Sequence, residues 1–285
     1  DSNKAIDSSK NKLNGRLSIG GQEHYYLEGQ VALAIPTEDN EMVVHSSTQN
    51  PTEVQHLVAH VLDVPQNAIE VITRRMGGGF GGKETDSSQL ACVCAIFAKQ
   101  SKLPIKARLS RKDDMLLTGK RHDFKADYKV GYSDDGKILG IEIDLAARCG
   151  YSLDLSKAIV SRALFHADNT YFLPNATFRG FLCKTNTASN TAFRGFGGPQ
   201  GMLAIENIIE EIAMNIGVDA LEIRKLNYYQ KDTNNVTPYE QVVEDNIINE
   251  LSSELIEDSN YLARRESIEK FTNTSKYLKK GLAFS

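Results

Sequence analysis

The chain has 285 residues, 41% hydrophobic and 25% charged, which is enough apolar surface for one large or two modest cores and too balanced for wholesale disorder. Its formal net charge of -4 lacks the basic excess with which proteins neutralise nucleic-acid phosphates, so no nucleic-acid partner is expected. No apolar run reaches the roughly 18 residues of a membrane helix. The cysteines Cys92, Cys94, Cys149 and Cys183 include no C-x-x-C pair and read as reduced thiols of a cytoplasmic protein.

Residues 1–19, DSNKAIDSSKNKLNGRLSI, are polar and lack sustained periodicity, which predicts a linker or flexible arm. The run from His24 to Pro36 is extended in character, and Met42 to Ser46 supplies a second strand. Asn50-Pro51-Thr52-Glu53 combines an N-cap, a first-turn proline and an N3 carboxylate, so a helix starts there, with Val54, Leu57, Val58, Val61 and Leu62 as its apolar stripe. A strand from Ala68 to Arg75 leads into MGGGFGGKE (Met76 to Glu84). The helix beyond it carries Leu90, Val93, Cys94, Phe97 and Ala98 at helical spacing. Leu103 to Leu109 is a further strand, and Asp134-Asp135-Gly136 joins two long arms of a β-hairpin.

Phe178 to Thr185 reads as a strand ahead of a second glycine loop, AFRGFGGPQG (Ala192 to Gly201), where Pro199 opens a helix to about Ile216. The repeated G-F-G-G at Gly79–Gly82 and Gly195–Gly198 suggests a duplicated strand, loop and helix unit. From Asp219 onward the pattern is helical, with a polar break near 232–237. The expectation is an α+β fold: mixed β-sheets with helices packed on them, two similar strand-loop-helix units and a helical C-terminal region.

MGGGFGGKE satisfies both the dinucleotide pattern G-x-G-x-x-G and the phosphate-loop pattern G-x-x-x-x-G-K. A phosphate loop needs Ser or Thr after the lysine to hold magnesium, and Glu84 stands there and would repel phosphates. The dinucleotide reading needs an acidic residue about 20 positions on, where none fits well. What the glycines do offer is close backbone N–H donors beside a helix N-terminus, a place suited to anionic or metal-oxo oxygens. His56 and His60 are four apart, but Leu57 replaces the glutamate of a zinc-protease helix, so both are read as solvated. Glu206, Glu210 and Glu211 read as a wet helix face.

Set beside GGQEHYYLE (Gly20 to Glu28), STQN (Ser47 to Asn50), RALFH (Arg162 to His166), LCKTN (Leu182 to Asn186) and SNTAFRGFGGPQG (Ser189 to Gly201), the loop closely resembles the molybdenum-binding portion of the xanthine dehydrogenase and aldehyde oxidase superfamily. The resemblance runs from about Gly20 to Lys280. It implies hydroxylation of a purine at molybdenum carried on molybdopterin, with electrons leaving through [2Fe-2S] clusters to FAD on other domains or subunits. By the same resemblance, Gln22 is the amide that hydrogen-bonds the metal's oxo ligand, while Gly79, Phe80 and Arg194 lie in cofactor-facing loops. Arg194 is equally readable as a cap for carbonyls between layers. Glu84 and Arg162 resemble the pair that grips the purine; the plainer alternatives are an ion pair between them, or Glu84 as a helix N-terminal acid. Phe196 resembles the aromatic that packs on the substrate, or is a core residue.

The chain starts at Asp1, and the family's molybdenum portion is roughly twice as long, so residues 20–285 read as the N-terminal half of that region, with a possible subdivision near 150–180. The second half, which normally supplies the glutamate base, is an expected partner, as is an iron-sulfur/FAD domain or subunit. The chain alone is expected to be inactive. An aldehyde or other N-heterocycle oxidase is the nearest alternative, and a phosphate-loop nucleotide-binding domain the remote one.

Overall fold

The computed structural model describes residues 1–284; the expected domain end at Ser285 lies outside them. Two mixed four-stranded sheets organise the chain. The first is built from β2 (Val31–Pro36), β3 (Met42–Ser46), β4 (Ile69–Ile72) and β5 (Ile105–Arg108), in the order β4-β3-β2-β5. The second contains β1 (Asn11–Ile19), β6 (Phe124–Tyr132), β7 (Ile138–Gly150) and β8 (Ala176–Lys184), in the order β1-β6-β7-β8.

Each sheet begins from an antiparallel pair, β2–β3 or β6–β7. Each pair is followed by a helix that returns the chain to a parallel edge strand: α2 (Pro51–Leu62) between β3 and β4, and α5 (Ser156–Phe165) between β7 and β8. After the edge strand comes a G-F-G-G loop and then a helix, α3 (Asp86–Ser101) or α6 (Gly198–Ile216). The duplicated unit read from two short motifs is therefore carried through the strand pairing. The fourth strand differs. β5 follows α3 in its unit, whereas the matching place in the second sheet is taken by β1 from the N-terminus, which pairs antiparallel with β6.

This overturns the reading of residues 1–19 as a flexible arm. Residues 2–8 form a helix, α1 (Ser2–Ser8), and 11–19 a fully registered strand. Leu13, Leu17 and Ile19 do alternate with polar residues, but the inward position between Leu13 and Leu17 is Gly15. Its partner across the ladder, Tyr128, lays its ring over the space where a side chain would be. A glycine covered by a cross-strand aromatic hides the period-2 signal from the sequence.

The possible subdivision at 150–180 is also displaced. One core joins Ala32, Val44, Val58, Ala91 and Cys94 of the first sheet and its helices, and the other joins Ile141, Ile143, Ile159, Ile205 and Ile209 of the second. The buried apolar residues of 150–180 lie in the second, and the chain passes between cores twice, in 20–30 after β1 and in 118–123 after α4 (Arg111–Leu117).

Three local expectations change as well. Strand β2 starts at Val31 and not near His24, because 20–30 form an irregular segment that buries Tyr26 and takes Tyr25 to a φ of 52°. On α3, Val93 and Phe97 are exposed while Ala91, Cys94, Ala95 and Ala98 are buried, so the small face, not the bulky one, meets β2. The acidic residues of α6 are not a wet face: Glu206 and Glu210 hold the buried Arg224 at 2.7 and 2.8 Å, and Glu211 accepts from Tyr128 at 2.5 Å. The polar break and the helices α7 (Ala220–Asn227), α8 (Ile248–Asp258) and α9 (Tyr261–Thr274) agree with the helical C-terminal reading. Among the described residues no helix is long and apolar enough to cross a membrane.

Candidate functional site

The two glycine loops have one conformation and touch each other. In the first, the Gly82 N–H donates to the Gly79 carbonyl at 2.9 Å, with Phe80 and Gly81 at φ of 54° and 104°. In the second, Gly198 donates to Gly195 at 3.0 Å, with Phe196 and Gly197 at 48° and 95°. Both are tight turns with two consecutive positive φ values, the mirror-image type I geometry. A phenylalanine held in the left-handed region is strained, and strain of this kind gathers at functional sites. The turns meet where the Arg194 N–H donates to the Phe80 carbonyl at 2.9 Å, and Gly81 lacks a side chain because the Ala192 backbone fills that space.

The seam between the loops is wedged by His24, which is buried and donates from Nε2 to the Ala192 carbonyl at 2.6 Å while its ring packs 4.6 Å from that of Phe193. Burial pulls the His24 imidazole below its ordinary range.

Lys83, the would-be phosphate lysine, is fully buried. It donates to Ser47 Oγ at 2.8 Å and to Glu28 at 3.3 Å, and lies 4.8 Å over the Tyr26 ring. That removes it from any phosphate, and with it the phosphate-loop reading. Many of the loop's donors are also engaged. Gly77 donates to Glu28 at 2.8 Å, and Gly81 and Lys83 donate to the Gln49 side-chain oxygen at 2.8 and 3.3 Å. The N–H groups of Gly78, Gly79 and Phe80, and of Gly195 in the second turn, make no hydrogen bond among the described residues. The offering to a ligand is thus narrower than the glycine count implies.

Gln22 is exposed, and its Oε1 accepts from Arg121 Nε at 2.6 Å. It reaches the second turn only through that guanidinium, whereas Gln49, quoted in the sequence merely as part of STQN, caps the first turn directly. Arg121 itself was missed. It is 8% exposed, donates from Nη2 to the Arg194 carbonyl at 2.7 Å, and lies 4.0 Å over the Phe193 ring. Nothing in its sequence neighbourhood signals this, because its partners are 99 and 73 positions away.

Glu84 follows the first turn, one residue before the N-cap Thr85 of α3, so it is not part of the helix itself. Burial, and then the charge of Asp154, push its carboxyl up. Arg162 is exposed on the last turn of α5, and Phe196 is half-buried against the core beneath that helix. Among the described residues neither Glu84 nor Arg162 enters a salt bridge, so the ion-pair alternative is not realised. Both charges remain available to a ligand. His56 and His60 are exposed, as expected.

The donor set suits an acceptor-rich organic cofactor held by hydrogen bonds: turn N–H groups and a buried guanidinium Nη1 that have no partner among the described residues, and an exposed Arg194. Comparison with known proteins points the same way. The description "molybdopterin cofactor-binding domain" matches residues 1–228. A nicotinate hydroxylase of Emericella nidulans is 44% identical over 282 residues, covering 98% of this chain and 21% of that protein. A xanthine dehydrogenase of Dictyostelium discoideum is 44% identical over 283 residues, covering 99% of this chain and 21% of that protein. The chain thus spans about a fifth of the length of these relatives. Among solved structures, the aldehyde oxidoreductase of Desulfovibrio gigas superposes with a TM-score of 0.85 at 26% identity, over 97% of this chain and 30% of that one. The chain belongs to the molybdopterin cofactor-binding domain family, within the xanthine dehydrogenase and aldehyde oxidase superfamily.

Proposed function

We propose that the chain supplies cofactor- and substrate-binding residues to the molybdenum region of a purine hydroxylase that oxidises hypoxanthine and xanthine toward urate. The observation that carries this reading is the pair of unneutralised charges, Glu84 and Arg162, flanking the two turns. As oxygen adds to a purine ring, negative charge gathers on its carbonyl and ring nitrogens, and a guanidinium aimed there stabilises the transition state more than the ground state. Glu84 accepts from ring N–H groups on the opposite edge. Its raised carboxyl pKa means that acid weakens this grip, since only the ionised form is acceptor at both oxygens. Phe196 holds the flat ring.

Bound molybdopterin would supply an acidified oxygen nucleophile and an electron sink that side chains lack. Toward it, the Phe80 and Gly79 amides, Arg194 and Gln49 are the groups that hold and orient. Gln22, its Oε1 held by Arg121 Nε, offers its Nε2 to the metal's oxo ligand. No residue of this chain is assigned as general base. That group, the remaining cofactor contacts, and the [2Fe-2S] and FAD centres belong to partner regions, in an enzyme of the cytoplasm.

The equal similarity to a nicotinate hydroxylase keeps a second reading, an oxidase of another N-heterocycle or an aldehyde. Glu84 separates the two, because an anionic ring carboxylate is drawn to Arg162 but repelled by Glu84. In the full-length enzyme, Glu84→Val with Arg162→Met is expected to lower kcat/KM for hypoxanthine by about 100-fold or more, the worth of two charge-assisted hydrogen bonds, while sparing aldehydes. An unchanged order of preference would sink the purine assignment.

A further inference from the structure

Arg121 is the hub of the site, and its bonding has a consequence for one peptide group. Its side chain ties the 20–30 segment to the second glycine loop: Nε donates to Gln22 Oε1 at 2.6 Å, Nη2 to the Arg194 carbonyl at 2.7 Å, and the guanidinium face lies 4.0 Å over Phe193. Among the described residues no carboxylate pairs with it, although it is only 8% exposed. A buried charge without a counter-ion is costly, and its first two contacts fix the plane of the guanidinium.

The Arg194 carbonyl and the Gly195 N–H belong to one trans peptide and point in opposite directions. Rotating that peptide plane changes chiefly ψ of Arg194 and φ of Gly195. Gly195, at a φ of 93°, is the residue type that tolerates either sign. The preceding peptide is already held, because the Arg194 N–H donates to Phe80 at 2.9 Å. What chooses between the two orientations of the next peptide is therefore the guanidinium on its carbonyl. With the carbonyl held by Arg121, the Gly195 N–H faces away from it and makes no hydrogen bond among the described residues.

We propose that Arg121 is a positioning residue that locks the Arg194–Gly195 peptide so that the Gly195 N–H stands ready as a donor to acceptor atoms of the molybdenum cofactor. The inference rests on the cofactor reading given above. Without the clamp, the peptide turns its carbonyl toward the same acceptors and repels them. A lysine at 121 keeps the charge but, as a single point donor, does not span Gln22 Oε1 and the Arg194 carbonyl with one planar group.

The test uses the full-length enzyme with its electron-transfer domains, carrying Arg121→Met or Arg121→Lys. Molybdenum retained per protein is measured after exhaustive desalting, the Mo(V) electron paramagnetic resonance spectrum is recorded, and the variant crystal structure gives the peptide orientation. Arg121→Met is expected to retain about tenfold less molybdenum, the worth of one charge-assisted hydrogen bond, with partial recovery in Arg121→Lys. A folded Arg121→Met enzyme with wild-type molybdenum, an unaltered spectrum and an unflipped peptide overturns the proposal. Should that variant not fold, Arg121→Lys decides by the same readouts, since reduced retention supports the clamp and wild-type retention overturns it. A wild-type enzyme that carries no molybdenum instead defeats the cofactor reading, and this inference with it.

Discussion

The two G-F-G-G turns share their backbone and differ in what surrounds it. The first is embedded: Glu28, Gln49 and Gly79 take up the N–H groups of Gly77, Gly81, Gly82 and Lys83, and Lys83 is sealed beneath it. The second is held from one side by Arg121 and runs directly into α6, with Gly197 pressed on the α5 backbone and Gly201 farther along. The first turn is thus a densely bonded platform next to Glu84, and the second a loop held through the Arg194 carbonyl that carries Arg194 and Phe196. The two turns share one geometry, and their neighbours give them different surroundings.

The largest effect that separates the turns comes from their second glycines. A methyl group on Gly197 would overlap the Ile159 carbonyl inside α5, and the residue's φ of 95° is strained for any side chain. A helix cannot give way locally, so Gly197→Ala is expected to cost about 3 kcal/mol or more in urea unfolding. Gly81→Ala meets the Ala192 backbone at a φ of 104°, but at 2.6 Å against 2.1 Å for Gly197 and outside a helix, and about 2 kcal/mol is expected. Equal costs would mean that the seam between the loops is as stiff as a helix.

Next in size is a pH effect that opposes the two units. Asp86, at the start of α3, is pushed up to about 6 by burial, although the Gly119 N–H donates to it. His122, leading into the second sheet, is pushed down to about 4 by burial, with Nε2 on Ser156 at the start of α5. A raised aspartate contributes stability that is complete below its unfolded value and is lost as pH rises through about 6. A depressed histidine contributes stability that is present above its unfolded value and lost as pH falls through about 4. Each is worth about 2 to 3 kcal/mol, and they offset each other between those pH values. Asp86→Asn should therefore expose a stability that rises with pH over that window, and His122→Gln one that falls. Denaturation midpoints measured across the window check this, and two flat profiles would show that neither group is desolvated as described.

How much of this was readable in the sequence depended on the range of the interaction. The Asn50 cap, the hairpin at Asp134–Gly136 and the start of α6 at Pro199 are set by residues a few positions apart, and all three stand where the sequence puts them. Strand β1 was hidden because Tyr128 occupies the space of Gly15, and the inner face of α3 because close approach to β2 selects small side chains over apolar ones. Around the glycine loops, the G-F-G-G motif located both turns, and they do meet in the fold. It did not signal that Gln49 caps the first turn or that Arg121 bridges Gln22 and the Arg194 carbonyl, because those contacts depend on which side chain fills a gap opened by folding.

The smallest effect concerns the two strained phenylalanines. Phe80 is 50% exposed, so little packing offsets its positive φ, and Phe80→Asn, which suits that conformation, is expected to stabilise the chain by about 0.5 to 1 kcal/mol in thermal melts. Phe196 has the same backbone but packs on the second core, so Phe196→Asn should lose more packing than it gains in strain and destabilise by about 1 kcal/mol. If both variants moved together, the turns would be energetically alike and the contrast between platform and clamp would fail. If they diverge, Phe80 is an aromatic kept at a cost to folding, and its exposed ring and free N–H are then accounted for by what the first turn binds rather than by what it supports.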